Sequence, residues 1–195
     1  MSSKIRKANS IIGLIRRSFS FLDGPLFKKL YTTFVRPHLE YGQAVWSPHL
    51  KKHIKALEKV QRRATKLIDG FSRLSYEERL HRLDLPTLAF RRARGDMIEL
   101  YKNFYVYDKS SLCEAFRPKT ERCRGNNLTL QPNFPIDGVR GVQYNSFYYR
   151  TFHAWNKLPK NVVNSESIDS FKNNLDKHWK DHPLRFDAEY VKSDS

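Results

Sequence analysis

Cysteines and long apolar runs are scarce in this chain of 195 residues. Its two cysteines, Cys113 and Cys123, cannot form a disulfide framework or supply the four ligands of a structural zinc site. No uninterrupted apolar stretch approaches the roughly 20 residues that cross a bilayer, and no signal-peptide pattern opens the chain. We therefore predict an intracellular protein of the nucleus or cytoplasm, with no bound metal and no membrane association.

Patterns typical of catalysis are missing as well. Two-metal chemistry requires clustered carboxylates, but the sequence has no adjacent Asp-Asp pair, and Asp96 and Glu99 have the spacing of an ordinary solvated pair on a helix. Pro135-Ile136-Asp137 resembles the start of a nuclease site but lacks the later acidic residue and lysine. Phosphate-binding glycine loops, serine elbows and HExxH motifs do not occur. We expect no catalysis by this chain alone, no cofactor and no small-molecule substrate.

Acidic residues are few relative to basic ones, and most of the imbalance lies in the first half of the chain. The whole sequence has 36 Lys and Arg against 20 Asp and Glu, a net charge of +16. Residues 1–97 hold 21 basic and 8 acidic side chains, a net of +13, whereas residues 98–195 hold 15 and 12, a net of +3. This asymmetry predicts a polyanionic partner, most commonly nucleic acid. Net charge alone would also fit an anionic membrane surface or an acidic protein.

Apolar periodicity predicts a mainly α fold. Aromatic residues make up 13% of the chain, which favours a packed core over a disordered tail. Helical spacing divides the chain into a helical bundle over 1–104, an irregular connector over 105–143 with short strands at most, and a small helical segment over 144–195. Within the first part, Pro37 is expected to end a helix, and 37–50 is expected to be a connector anchored by Tyr41, Val45 and Trp46.

The predicted helix over 51–68 has an apolar stripe on one side and a basic stripe on the other. Glu58 is its only acidic residue. A solubilising surface normally mixes both signs, and a membrane-surface helix would have Trp or Phe on its apolar side, so contact with a phosphate backbone is the favoured interpretation. The candidate nucleic-acid contacts are Lys52, Lys55, Lys59, Arg62, Arg63 and Lys66, together with Arg91, Arg92 and Arg94 on the helix predicted over 86–104.

Aromatic residues cluster between 144 and 155. Such side chains could stack on unpaired bases, but the helical spacing of Phe147 and Trp155 favours core packing. For Tyr148 and Tyr149 both interpretations stay open.

Several segments together resemble the end of non-LTR, LINE-type retrotransposon reverse transcriptases of the jockey-like clades. The resemblance runs through nearly the whole chain in matching order and is most specific at Tyr41-Gly42, Trp46 and Gln61-Arg62-Arg63. The segments are ANSIIGLIRR (8–17), LYTTFVRPHLEYGQAVWSP (30–48), IKALEKVQRRATKLI (54–68), SYEERLHRLDLPTLAFRRARGDMIELYK (75–102), FHAWNKLPKNVV (152–163) and SFKNNLDKHW (170–179).

The resemblance implies the region that follows the polymerase palm, namely a thumb-like helical domain and a C-terminal segment. In such enzymes the thumb holds template and primer by their backbones, so it implies RNA or DNA as the partner and a possible upstream palm. The family's paired aspartates, endonuclease and C-terminal zinc knuckle do not occur here, which predicts a non-catalytic fragment. Two alternatives stay open: part of a complete reverse transcriptase, or a decayed or domesticated structural or protein-interaction remnant.

Overall fold

The computed structural model describes residues 2–48, 50–105, 116–118, 130–132 and 146–190, and it confirms the mainly helical fold. The chain folds into two compact units. The first comprises Met1–Gln43, Pro48–Arg92 and His182–Ser195, and the second comprises Ala44–Ser47 and Ala93–Asp181. The division therefore falls elsewhere than the expected boundaries near 105 and 143. Most of the connector, including Cys113 and Cys123, lies outside the described residues.

The first unit begins with α1 (Ser2–Ser18) and a continuous helical path made of α2 (Gly24–Leu30), a π-helical turn (Tyr31–Val35) and α3 (Arg36–Glu40). Asp23 caps α2 by accepting a hydrogen bond from the Leu26 N–H at 2.8 Å. The prediction that Pro37 ends the helix is wrong. A wider π-helical turn precedes Pro37, and in it the Arg36 N–H donates to the Tyr31 carbonyl. Pro37 therefore occupies the first turn of α3, where a missing N–H costs little.

The expected connector over 37–50 is also wrong in part, because α3 and the short α4 (Gln43–Trp46) occupy much of it. Tyr41 and Val45 are 81% and 92% exposed, so neither anchors a core. Next come α5 (Lys51–Ala64), which continues into a 3₁₀ turn (Thr65–Leu67), and a second 3₁₀ turn (Phe71–Arg73).

The helix α6 (Tyr76–Leu83) has its predicted start signal, whereas α7 (Leu88–Tyr105) begins at Leu88 and not at the predicted Pro86. The helix α6 begins with a capping box in which Ser75 and Glu78 exchange hydrogen bonds. The helix α7 follows, and the boundary between the two units falls within it. The core packs α1 against α3 and α5 through Ala8, Ile12, Leu57 and other buried side chains.

The chain returns to the first unit at its C-terminal end. A 3₁₀ turn (Pro183–Arg185) lies against the start of α7, where the Thr87 N–H donates to the Arg185 carbonyl at 2.9 Å. The Thr87 hydroxyl donates to the Leu184 carbonyl at 2.6 Å, and the Phe186 ring lies 4.0 Å from that of His81. We call residues 182–190 the C-terminal segment.

The second unit contains the rest of α7, β1 (Phe116–Pro118), β2 (Leu130–Pro132), α8 (Phe147–Asn156), α9 (Lys160–Val163) and α10 (Ile168–His178). The two strands pair antiparallel, with Arg117 opposite Gln131. Stacked rings form its core, with 4.3 Å between Tyr101 and Phe171 and 5.9 Å between Trp155 and Phe171. Trp155 is buried, as its spacing predicts. No helix in the described part of the chain is long and apolar enough to span a membrane.

Candidate nucleic-acid interface

The six predicted cations of α5 and its 3₁₀ extension lie on one exposed surface. At 100° per residue they fall within an arc of about 100°, and along the helix axis they extend over roughly 21 Å. All six side chains are exposed, whereas Leu57, Val60 and Ala64 on the opposite side are buried. We call this surface the basic stripe; its members are Lys52, Lys55, Lys59, Arg62, Arg63 and Lys66.

Carboxylates neutralise little of the basic stripe. Across residues 2–48, 50–105 and 146–190, the stripe's one ion pair joins Arg62 to Glu189 of the C-terminal segment at 3.9 Å, and both side chains are about half exposed. Arg62 also lies over the Tyr76 ring, with its guanidinium carbon 4.8 Å from the ring centre. The other five cations have no ion pair within those ranges, so no carboxylate of the described residues offsets their mutual repulsion.

Buried polar side chains hold α5 in place on the side away from solvent. Tyr76 donates to the Glu58 carboxylate at 2.6 Å, and the backbone N–H of Leu88 donates to the other Glu58 oxygen at 3.1 Å. Tyr31 donates to the Gln61 side-chain oxygen at 2.7 Å, while the Gln61 amide donates to the Pro86 carbonyl at 3.0 Å. These bonds fix the rotation of α5 and therefore the direction in which the basic stripe faces.

A buried arginine holds the C-terminal end of the same helix. Arg79 of α6 is 2% exposed, and its guanidinium donates to the backbone carbonyl of Arg62 at 3.0 Å. It also donates to the Ser75 carbonyl at 3.3 Å. Because the last carbonyls of a helix have no partner within it, this contact stabilises the end of α5 at Arg62 and Arg63.

Glu58 is not the surface counter-charge that its place in the sequence suggests. It is 6% exposed, and this burial raises the pKa of its carboxyl group, while the hydrogen bond from Tyr76 and the charge of Arg92 act in the opposite direction. The basic stripe therefore presents no carboxylate of its own helix to solvent.

The three arginines predicted as nucleic-acid contacts on α7 lie in surroundings different from those of the basic stripe. Arg91 pairs with Glu40, with its Nη2 2.9 Å from Oε2, and Arg94 pairs with Asp176 at 2.8 Å between Nη2 and Oδ2. Arg92 is 6% exposed. Arg91 and Arg94 are therefore paired with carboxylates of the protein, and Arg92 is buried. The reason is that α7 packs on more than one side.

The aromatic cluster is mostly packed. Tyr148 and Tyr149 are half-buried, and the Tyr149 ring meets Phe152 edge-on at 5.7 Å. Arg150 of the same helix forms an ion pair with the buried Asp96 at 2.9 Å. Tyr144 lies outside the described residues. In the part of the chain that is described, no three His, Cys, Asp or Glu side chains group as metal ligands would.

Sequence reasoning missed the side chains that orient the stripe and the pocket beside it. Arg79 carries no signal of burial in a single sequence, whereas Gln61 falls at the helical spacing of the apolar stripe, which is a signal that could have found it. The pocket, of about 310 Å³, lies along one edge of the stripe and joins residues far apart in the chain: Ile54, Lys55, Glu58, Lys59, Arg62, Ala89, Ala188 and Glu189.

The arrangement gathers six exposed cations on one surface, which is the chemistry that a chain of phosphates requires. Comparison of the chain with protein-family models, with curated proteins and with solved structures found no match.

Proposed function

We propose that the protein binds nucleic acid without catalysis, by contacts between the basic stripe and the phosphate backbone. The observation that supports this proposal is the exposure of six cations on one surface with a single, weak ion pair in the described part of the chain. Each phosphate that a cation neutralises releases condensed counterions, which supplies free energy that a merely solvated surface does not gain. Contacts to phosphate oxygens carry little sequence information, so we expect little sequence preference.

The dimensions of the stripe suit a duplex backbone. Duplex DNA carries one negative charge about every 1.7 Å of its axis, counted over both strands, so roughly 21 Å of duplex presents about twelve phosphates. The stripe offers six cations over that length. We also propose, from the resemblance described above, that the ligand is a template–primer duplex of RNA and DNA and that the chain contributes binding, with catalysis supplied by a palm if one is joined to it.

Fluorescence anisotropy with a labelled RNA–DNA hybrid at low salt tests the proposal. The wild type should bind, and a variant with all six stripe cations changed to Gln should bind at least about 100-fold more weakly. Circular dichroism should show that the variant keeps its helices, since the six side chains are exposed. Absence of binding by the wild type, or equal binding by the variant, would refute the proposal.

A further inference from the structure

We infer that the pocket beside the basic stripe accepts one unpaired nucleotide of the bound strand, with its phosphate on Lys55 and Lys59 and its sugar and base inside. This inference rests on the proposed function and adds what the stripe alone cannot supply, a site for the part of a nucleotide that is not phosphate. The pocket's volume of about 310 Å³ is at the lower end of the range for small-ligand sites.

The pocket lies on one edge of the stripe. Lys55, Lys59 and Arg62 line it from successive turns of α5, whereas Lys52, Arg63 and Lys66 do not. A strand lying along the stripe would therefore pass the pocket, where Lys55 and Lys59 would hold its phosphate.

The walls supply the apolar surface that a base requires. Ile54 and Ala89 line the pocket from α5 and α7, and Ala188 lines it from the C-terminal segment. The short side chains of Ala89 and Ala188 leave space that larger residues would fill. The C-terminal segment is held in place by the Thr87 hydrogen bonds described above and by an ion pair of 3.2 Å between Arg185 and Asp84. The pocket is therefore formed by the folded first unit itself.

The two carboxylates that line the pocket, Glu58 and Glu189, favour a nucleotide over a bare phosphate as its ligand. A site for phosphate alone gains nothing from a carboxylate 3.9 Å from its arginine, but Glu189 occupies that position at the pocket. Ribose hydroxyls and the exocyclic amines of adenine, cytosine and guanine are donors, and a carboxylate is a suitable acceptor for them. Both oxygens of Glu58 accept hydrogen bonds from Tyr76 and Leu88, so Glu58 forms a wall and Glu189 is the acceptor that we assign.

Titration of the full chain with adenosine 5′-monophosphate and with inorganic phosphate, followed by amide NMR shifts, tests this inference. The monophosphate should bind at least about tenfold more tightly than phosphate and should shift the amides of Ala89 and Ala188. Ala188→Leu, which fills the pocket without changing charge, should weaken monophosphate binding about tenfold and leave phosphate binding unchanged. Ser72→Leu, at an exposed position outside the pocket, is the matched control and should change neither affinity.

Glu189→Gln separates this inference from its rival, in which Glu189 merely competes with phosphates for Arg62. An acceptor role predicts weaker binding of the monophosphate and no loss for phosphate, whereas competition predicts tighter binding of both. Glu77→Gln, an exposed carboxylate on α6, controls for the change in charge. Equal affinities for monophosphate and phosphate, no effect of Ala188→Leu, or tighter monophosphate binding by Glu189→Gln would each overturn the inference. Loss of duplex binding by the six-cation variant tests the proposed function separately.

Discussion

Neutralising half of the basic stripe should change the salt dependence of binding by a calculable amount. The variant changes Lys52, Arg63 and Lys66 to Gln. These three side chains are exposed, have no ion pair among the residues that the structure describes, and do not line the pocket. Their replacement therefore removes charge from the stripe without disturbing the buried hydrogen bonds that hold α5.

The magnitude follows from counterion release. If all six stripe cations contact phosphates of a DNA duplex, the slope of log affinity against log salt should be about −5, and three remaining contacts should give about −3. At about 0.15 M salt the same relation predicts roughly a 100-fold loss of affinity for the triple variant. The two quantities are coupled, so a loss of affinity without the change in slope would indicate a different cause.

Anisotropy titrations of one labelled duplex over a series of salt concentrations give both quantities. The matched control changes Arg16, Arg17 and Lys29 to Gln, which removes the same charge from exposed positions on α1 and α2. We expect the control to keep most of the affinity and a slope near that of the wild type. Equal losses in both triple variants would refute the reasoning, since net charge and not the stripe would then determine binding.

Two further predictions concern the side chains beneath and beyond the stripe. Burial raises the pKa of Glu58, so the stability that its protonated form contributes is present at low pH and is lost as the pH rises from the ordinary value of 4.5 through the raised one. In chemical denaturation, the free energy of unfolding of the wild type relative to Glu58→Gln should therefore fall with pH by up to about 1.4 kcal/mol per pH unit. A constant or rising difference would contradict this. Arg150→Met removes the ion pair between Arg150 and the buried Asp96 and should cost about 3 kcal/mol of unfolding free energy. Arg94→Met, whose partner Asp176 is 48% exposed, should cost less than about 1 kcal/mol. Equal costs in chemical denaturation would show that burial does not govern these pairs.

Local signals in the sequence were sufficient for α6 and for the basic stripe. The capping box at Ser75 and Glu78 marks the start of α6, and the spacing of Leu57, Val60 and Ala64 fixes which side of α5 is buried. Once that side is known, the exposure of the basic stripe follows from the helical period alone. These features depend on residues within one or two turns of each other, so a single sequence contains them.

The helix end predicted at Pro37 failed for a local reason, the π-helical turn before it, but the other failures come from contacts between residues remote in the chain. Arg91 and Glu40 are 51 positions apart, and Arg94 and Asp176 are 82 apart, so no local pattern shows that these arginines are paired. The C-terminal segment reaches Thr87 over a similar separation, and the pocket depends on that return. The burial of Glu58 could not be predicted because its partner Tyr76 belongs to another helix.

Chemical footprinting of the stripe lysines in the presence of bound duplex tests the central claim most directly. Acetylation of Lys52, Lys55, Lys59 and Lys66, followed by mass spectrometry, should slow when an RNA–DNA hybrid is bound, while acetylation of the exposed Lys29 continues at its rate in the free protein. Unchanged acetylation of all four stripe lysines, under conditions in which anisotropy shows the hybrid to be bound, would mean that the phosphates lie elsewhere on the protein.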